Sequence, residues 1–116
     1  MLGTSQLVLG AFIAIAPGSF FDSLAGFGAR NDHFLRDTST FYLALGVVLL
    51  LAAGRSSWRS PVLAFATIEY SLHSLNHLLD IGDADPGWIG PFDFASLAAV
   101  TAIFVYLLAA VARAPR

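Results

Sequence analysis

The stretch FASLAAVTAIFVYLLAAVA, residues 94–112, decides the fold. It contains no charged side chain and has about the length a helix needs to cross a hydrocarbon core of roughly 30 Å. In lipid every backbone N–H and C=O must be satisfied internally, and a helix does this within one segment. Three further apolar segments lie upstream, at residues 61–81, 39–54 and 6–24. The second of these contains YLALGVVLLLAA, and the last contains Pro17-Gly18, which should kink or end a helix. Composition agrees with four spans. The chain has 116 residues, enough for one domain, and is 57% hydrophobic but only 12% charged, against roughly 25% charged for an average soluble domain. The expected fold class is therefore all-α: an integral membrane four-helix bundle forming one domain over residues 1–116, multi-pass in the plasma membrane.

Helix-end signals sharpen these boundaries. Asp37 or Thr38 can cap the second helix, Ser60-Pro61 the third and Asp93 the fourth. Gly54 and Gly82 stand where helix-ending glycines are expected. Residues 25–37, 55–60 and 82–93 then form the loops. Arg55, Arg59, Arg113 and Arg116 fall on one side of four spans, and only Arg30 and Arg36 on the other. The positive-inside rule places both termini in the cytoplasm. Met1 to Gln6 carries no charged side chain, so the first apolar run reads as a retained helix rather than a cleaved signal. Trp58 and Trp88 fall in opposite loops, as interfacial anchors do.

Several classes of function drop out. Lysine and cysteine are absent and the net charge is −2, which excludes thiolate chemistry and leaves no basic patch for nucleic acid. No serine sits in a GxSxG turn.

Polar residues concentrate in EYSLHSLNHLLD, residues 69–80. Glu69, His73 and His77 are four apart, with Asn76 and Asp80 beside them on one helical stripe. Ionisable groups inside a span are costly and usually mark a pathway or site. The loop GARNDHFLRD, residues 28–37, opens at the same end and is expected to bring His33, Arg36 and Asp37 to the stripe. Arg30 or Arg36 could then pair with Glu69 or Asp80.

These residues admit several chemistries. His73 and His77 are about 6 Å apart along the helix axis and could share a transition metal, whereas Glu69 and His77, about 12 Å apart, cannot join the same ion. A third ligand would come from His33, Asp80 or Asp37. A bis-histidine haem needs a histidine on a facing helix, and no other span supplies one. A quinone-like lipid needs only a hydrogen-bonding side chain among aromatic and aliphatic walls, and the chain has ten Phe and three Tyr. Glu69, His73 and His77 could also pass protons over part of the span, or simply fix helix packing.

Taken together, the proline-ended first helix, the Arg36-Asp37 pair before a glycine-containing second helix and the histidine-bearing third helix resemble DoxX-like four-helix membrane proteins. That family includes a subunit linked to quinone-coupled sulfur oxidation, so the resemblance implies a four-helix fold and hints at a quinone. The expected function is a small membrane subunit or binding module without independent catalysis. Its extracytoplasmic pocket would be built from His33, Arg36, Asp37, Glu69, His73, Asn76, His77 and Asp80. The alternatives are a metal- or haem-dependent membrane redox enzyme using His73 and His77, and a structural subunit. Expected partners are the bilayer and either a second copy or a larger membrane complex, which alanines 95, 98, 99 and 102 would suit as a close-packing face.

Overall fold

A computed structural model describes residues 1–114 and folds them into five helices without a β-strand among those residues. The helices are α1 (Leu2–Ile15), α2 (Pro17–Leu24), α3 (Asp32–Gly54), α4 (Ser56–Leu79) and α5 (Ile89–Arg113). Arg116, counted above on the inner side, lies outside the described residues. The molecule is a slab of 48 × 27 × 18 Å.

The expected first span is two helices. Proline lacks the N–H that would continue the ladder, and at Pro17 the chain turns so that α1 and α2 are bent by 112°. With 14 residues, α1 is about 21 Å long, too short to cross the core upright. Helices α3 and α5 are long and apolar enough to cross a membrane, and the bent α1–α2 pair qualifies as a third candidate if taken as one span. The polar row on α4 dilutes its apolar character below that standard, although its 24 residues extend about 36 Å.

Three helix starts differ from the sequence expectation, and α4 ends at Leu79 with Asp80 as its C-cap, so Gly82 does not end it. The N-cap of α3 is Asn31, whose side chain accepts a hydrogen bond from the Phe34 N–H at 3.0 Å, so 32–38 are helical and neither Asp37 nor Thr38 caps. Only Arg55 separates α3 from α4, leaving Ser60 and Pro61 inside the helix. The Arg59 guanidinium donates to the carbonyls of Ala52 at 3.3 Å and Ala53 at 3.0 Å, satisfying the end of α3 and holding this tight corner. Helix α5 starts at Ile89, so Asp93 is internal rather than a cap.

The helices associate in two pairs. Helix α1 runs against α3 through glycines: a Cβ on Gly3 would lie 2.9 Å from the Gly46 carbonyl oxygen, and one on Gly46 2.8 Å from the Gly3 carbonyl oxygen. The missing side chains let the backbones touch. Helix α4 packs on α5 through Phe104, fully buried with its ring 5.2 Å from that of Tyr70. The Thr101 hydroxyl adds polar contacts, lying 3.0 Å from both the Tyr70 carbonyl and the Ser74 hydroxyl. The pairs join along the α3–α4 edge, where Leu45, Leu49, Leu63, Ala66, Tyr70 and Phe104 form the main core. No Cα of α1 comes within 8 Å of α4 or α5. The two pairs therefore splay apart on that side.

Candidate ligand cavity

The splay leaves a cavity of about 580 Å³ between the pairs. Its aromatic wall comes from Phe20 and Phe21 of α2, Phe27 of the following loop, and Phe34 of α3, with Phe92 opposite on α5. Leu9, Leu35, Leu97 and Val100 complete the apolar lining. The larger polar side chains are Gln6, Tyr42, Tyr70, His73, His77 and Asp93, with Ser5, Asn31, Thr38 and Ser96 also in the lining. One hydrogen bond crosses the cleft, from the Tyr70 hydroxyl to Gln6 Oε1 at 2.8 Å.

Two loops close the end near His77. The Asp85 N–H donates to the Gly26 carbonyl at 2.8 Å, and Phe27 and Ala84 form an isolated antiparallel bridge. A Cβ on Gly26 would collide with the Asp85 carbonyl, so glycine is needed for this approach. The bridge holds the Phe27 ring edge-on to His77, with centroids 5.0 Å apart and planes at 88°. Trp88 caps α5 at this end. Trp58 lies at the other end, with the Arg55 guanidinium 5.5 Å from its ring.

A row of four ionisable side chains runs from Glu69 to Asp93, and His73, His77 and Asp93 of it line the cavity. Glu69 Oε1 is 3.6 Å from His73 Nδ1, the His73 and His77 rings are 4.9 Å apart, and His77 Nδ1 is 3.9 Å from Asp93 Oδ2. All four are largely sheltered, with side-chain exposures of 13–27%. Glu69 Oε2 and His77 Nδ1 are buried without a hydrogen-bond partner. Among the described residues no arginine lines the cavity.

The structure divides the eight residues singled out from sequence. Glu69, His73 and His77 share one sheltered wall, and the two histidines line the cavity. Asp80 is the half-buried C-cap of α4, and Asn76 faces outward. His33, Arg36 and Asp37 do not join the row. Because Asn31 starts α3 early, helical phase turns these three to the exposed face while Leu35, Thr38 and Tyr42 face the cavity. His33 instead pairs with Asp37 at 3.4 Å. The expected arginine partners of Glu69 and Asp80 are also elsewhere. Arg30 binds Asp32 at 2.6 and 2.9 Å, which raises the guanidinium pKa, and Arg36 forms no ion pair among the described residues.

Sequence reasoning missed Asp93, Gln6, Tyr42 and Tyr70 as site residues. Asp93, Ser96, Leu97 and Val100 all line the cavity at helical spacing, so extending α5 upstream would have found the acid. Gln6 and Tyr42 carry no local signal, since they become neighbours of α4 only through helix packing. Among the described residues no three His, Asp or Glu side chains are arranged to hold a metal ion, so His73 and His77 lack the third ligand expected for them. His33 lies outside the cavity and gives neither that ligand nor the facing axial histidine of a haem. Comparison with family models, with curated proteins and with solved structures finds no match to this chain.

Proposed function

We propose that this chain is a multi-pass membrane protein that binds a neutral, lipid-soluble ligand of the quinone type, with its ring in the cavity and its tail leaving between α1 and α5. The observation that carries this reading is an aromatic cavity of about 580 Å³ with a few polar side chains on its walls. That size and mixture suit a small amphipathic molecule. The Asp93 carboxyl in the lining, with no arginine beside it among the described residues, disfavours fatty acids and lipid phosphates. The gap between α1 and α5, where backbones stay more than 8 Å apart, supplies a lateral way in from lipid. In this reading α4 crosses with α3 and α5, sheltering its polar row inside the bundle, and both termini face the cytoplasm. The resemblance to DoxX-like proteins points the same way.

The test is calorimetric titration of the full chain in nanodiscs with a short-tailed benzoquinone. Saturable binding is expected, weakened at least roughly tenfold by Leu97→Trp, which fills the cavity. Absence of saturable heat in the wild type sinks the proposal. A reporter fused after Arg116 should read cytoplasmic.

A second reading, as a structural subunit or self-associating protein, rests on α5. Ile103, Val105 and Tyr106 are 45–72% exposed, a face for lipid or another helix. Cross-linking in native membranes that traps a second copy or a larger complex through this face supports it.

A further inference from the structure

We infer that the cavity selects the reduced, hydroquinone form of such a ligand over the oxidised quinone, and that Asp93 and His77 make the selection. The inference rests on the proposed function and adds the ligand's redox state.

The geometry lies in the unused hydrogen-bonding capacity of the cavity. Asp93 accepts no hydrogen bond from any described residue; its Oδ2 stands 3.9 Å from His77 Nδ1, beyond hydrogen-bonding distance. That nitrogen is itself buried without a partner. Both residues line the cavity, with the buried Nδ1 turned to Asp93, so a ligand oxygen that reaches Asp93 also meets the His77 ring. An ionised carboxylate only accepts hydrogen bonds, whereas an imidazole can donate or accept. A quinone carbonyl also only accepts, so it would leave Asp93 unsatisfied in an apolar cavity. A phenolic hydroxyl both donates and accepts. It can donate to Asp93 and still accept a hydrogen bond from a neighbouring side chain of the cavity, the His77 ring among them.

The remaining polar groups do not impose this choice. Tyr42 is 7% exposed, lines the cavity and makes no side-chain hydrogen bond among the described residues. Gln6 is 5% exposed and uses only its Oε1, in accepting from Tyr70. Its amide nitrogen and the Tyr42 hydroxyl can donate to a carbonyl or to a hydroxyl oxygen alike. Discrimination therefore falls to the Asp93 end. Glu69 and His73 continue the row behind it: Glu69 Oε1 lies 3.6 Å from His73 Nδ1, and the His73 ring is tilted at 50° to that of His77.

The experiment measures affinity for a short-tailed benzoquinone and for its two-electron-reduced hydroquinone, under anaerobic conditions, with the full chain in nanodiscs. The hydroquinone should bind at least roughly tenfold tighter, raising the midpoint potential of the bound couple by about 30 mV for each factor of ten. In Asp93→Asn the ratio of the two affinities should fall toward one, because the amide can donate to a quinone carbonyl as well as accept. His77→Gln provides a second variant, in which the ratio should fall less because the carboxylate remains. Equal affinities in the wild type overturn the inference and leave the ligand class standing. Tighter binding of the oxidised form also overturns it, showing that Asp93 holds its own proton and donates. Failure of both forms to bind overturns this inference and the proposed function together.

Discussion

His33 and Asp37 at the start of α3, and Glu69 and His73 in the middle of α4, are the same motif in two settings. Each is a histidine and an acid four residues apart on a helix, at 3.4 and 3.6 Å. The first pair has side-chain exposures of 87% and 67%, the second 27% and 25%. In water the His33–Asp37 pair is screened and contributes little. Inside the bundle, Glu69 keeps an oxygen buried without a partner among the described residues, a costly state in an apolar surround. Spacing alone therefore says nothing about role. The phase of the helix and what packs on that face separate a solvated surface pair from a candidate site.

The most severe way to break this contrast is to remove the shelter. Gly46→Val should push α1 away from α3, because a Cβ there already meets the Gly3 carbonyl oxygen at 2.8 Å. A loss of about 2–3 kcal/mol, typical of overpacking, is expected in reversible unfolding in mixed detergent micelles. Unchanged stability would show that the two backbones are not in close contact.

Chemical reactivity sharpens the comparison directly. Diethylpyrocarbonate should modify His33 roughly tenfold or more faster than His73 and His77, since a sheltered ring reacts only after local opening. Mass-spectrometric peptide mapping reads all three rates in one sample. Equal rates would mean that the α4 row is open to water.

A smaller effect follows from the hydrogen bond across the cleft. Tyr70→Phe leaves the buried Gln6 Oε1 without its donor, at a cost of about 1 kcal/mol, and frees α1 relative to α4. The same unfolding assay measures the cost. Hydrogen exchange should quicken in α1 while that of α5 stays near wild type.

The smallest change belongs to the exposed pair. His33→Ala should leave stability and ligand binding within experimental error, as expected for a screened surface pair. A measurable loss of binding would return the first loop to the site.

Much of the helical architecture was legible along the chain. The apolar runs behind α3 and α5 announced two helices able to cross a membrane, and Pro17 marked where the first run breaks, although not the 112° turn that follows. The helix starts were harder, because a cap is a local competition among several candidates. Asn31 wins over Asp37 by binding the Phe34 N–H, and this single choice turns His33, Arg36 and Asp37 outward. At α5 the helix begins before Asp93 and carries that acid to the wall beside His77.

The sequence by itself determined that this protein is helical and apolar, and that the centre of its polarity lies on one face of residues 69–80, because hydropathy and a helical period are properties of neighbouring residues. Tertiary structure alone decided which polar groups meet. Gln6, Tyr42, Tyr70 and Asp93 join the histidines because glycine contacts draw α1 onto α3, Phe104 and Thr101 draw α5 onto α4, and nothing draws α1 onto α5. A cavity arises where packing stops, and where packing stops depends on residues far apart in the chain.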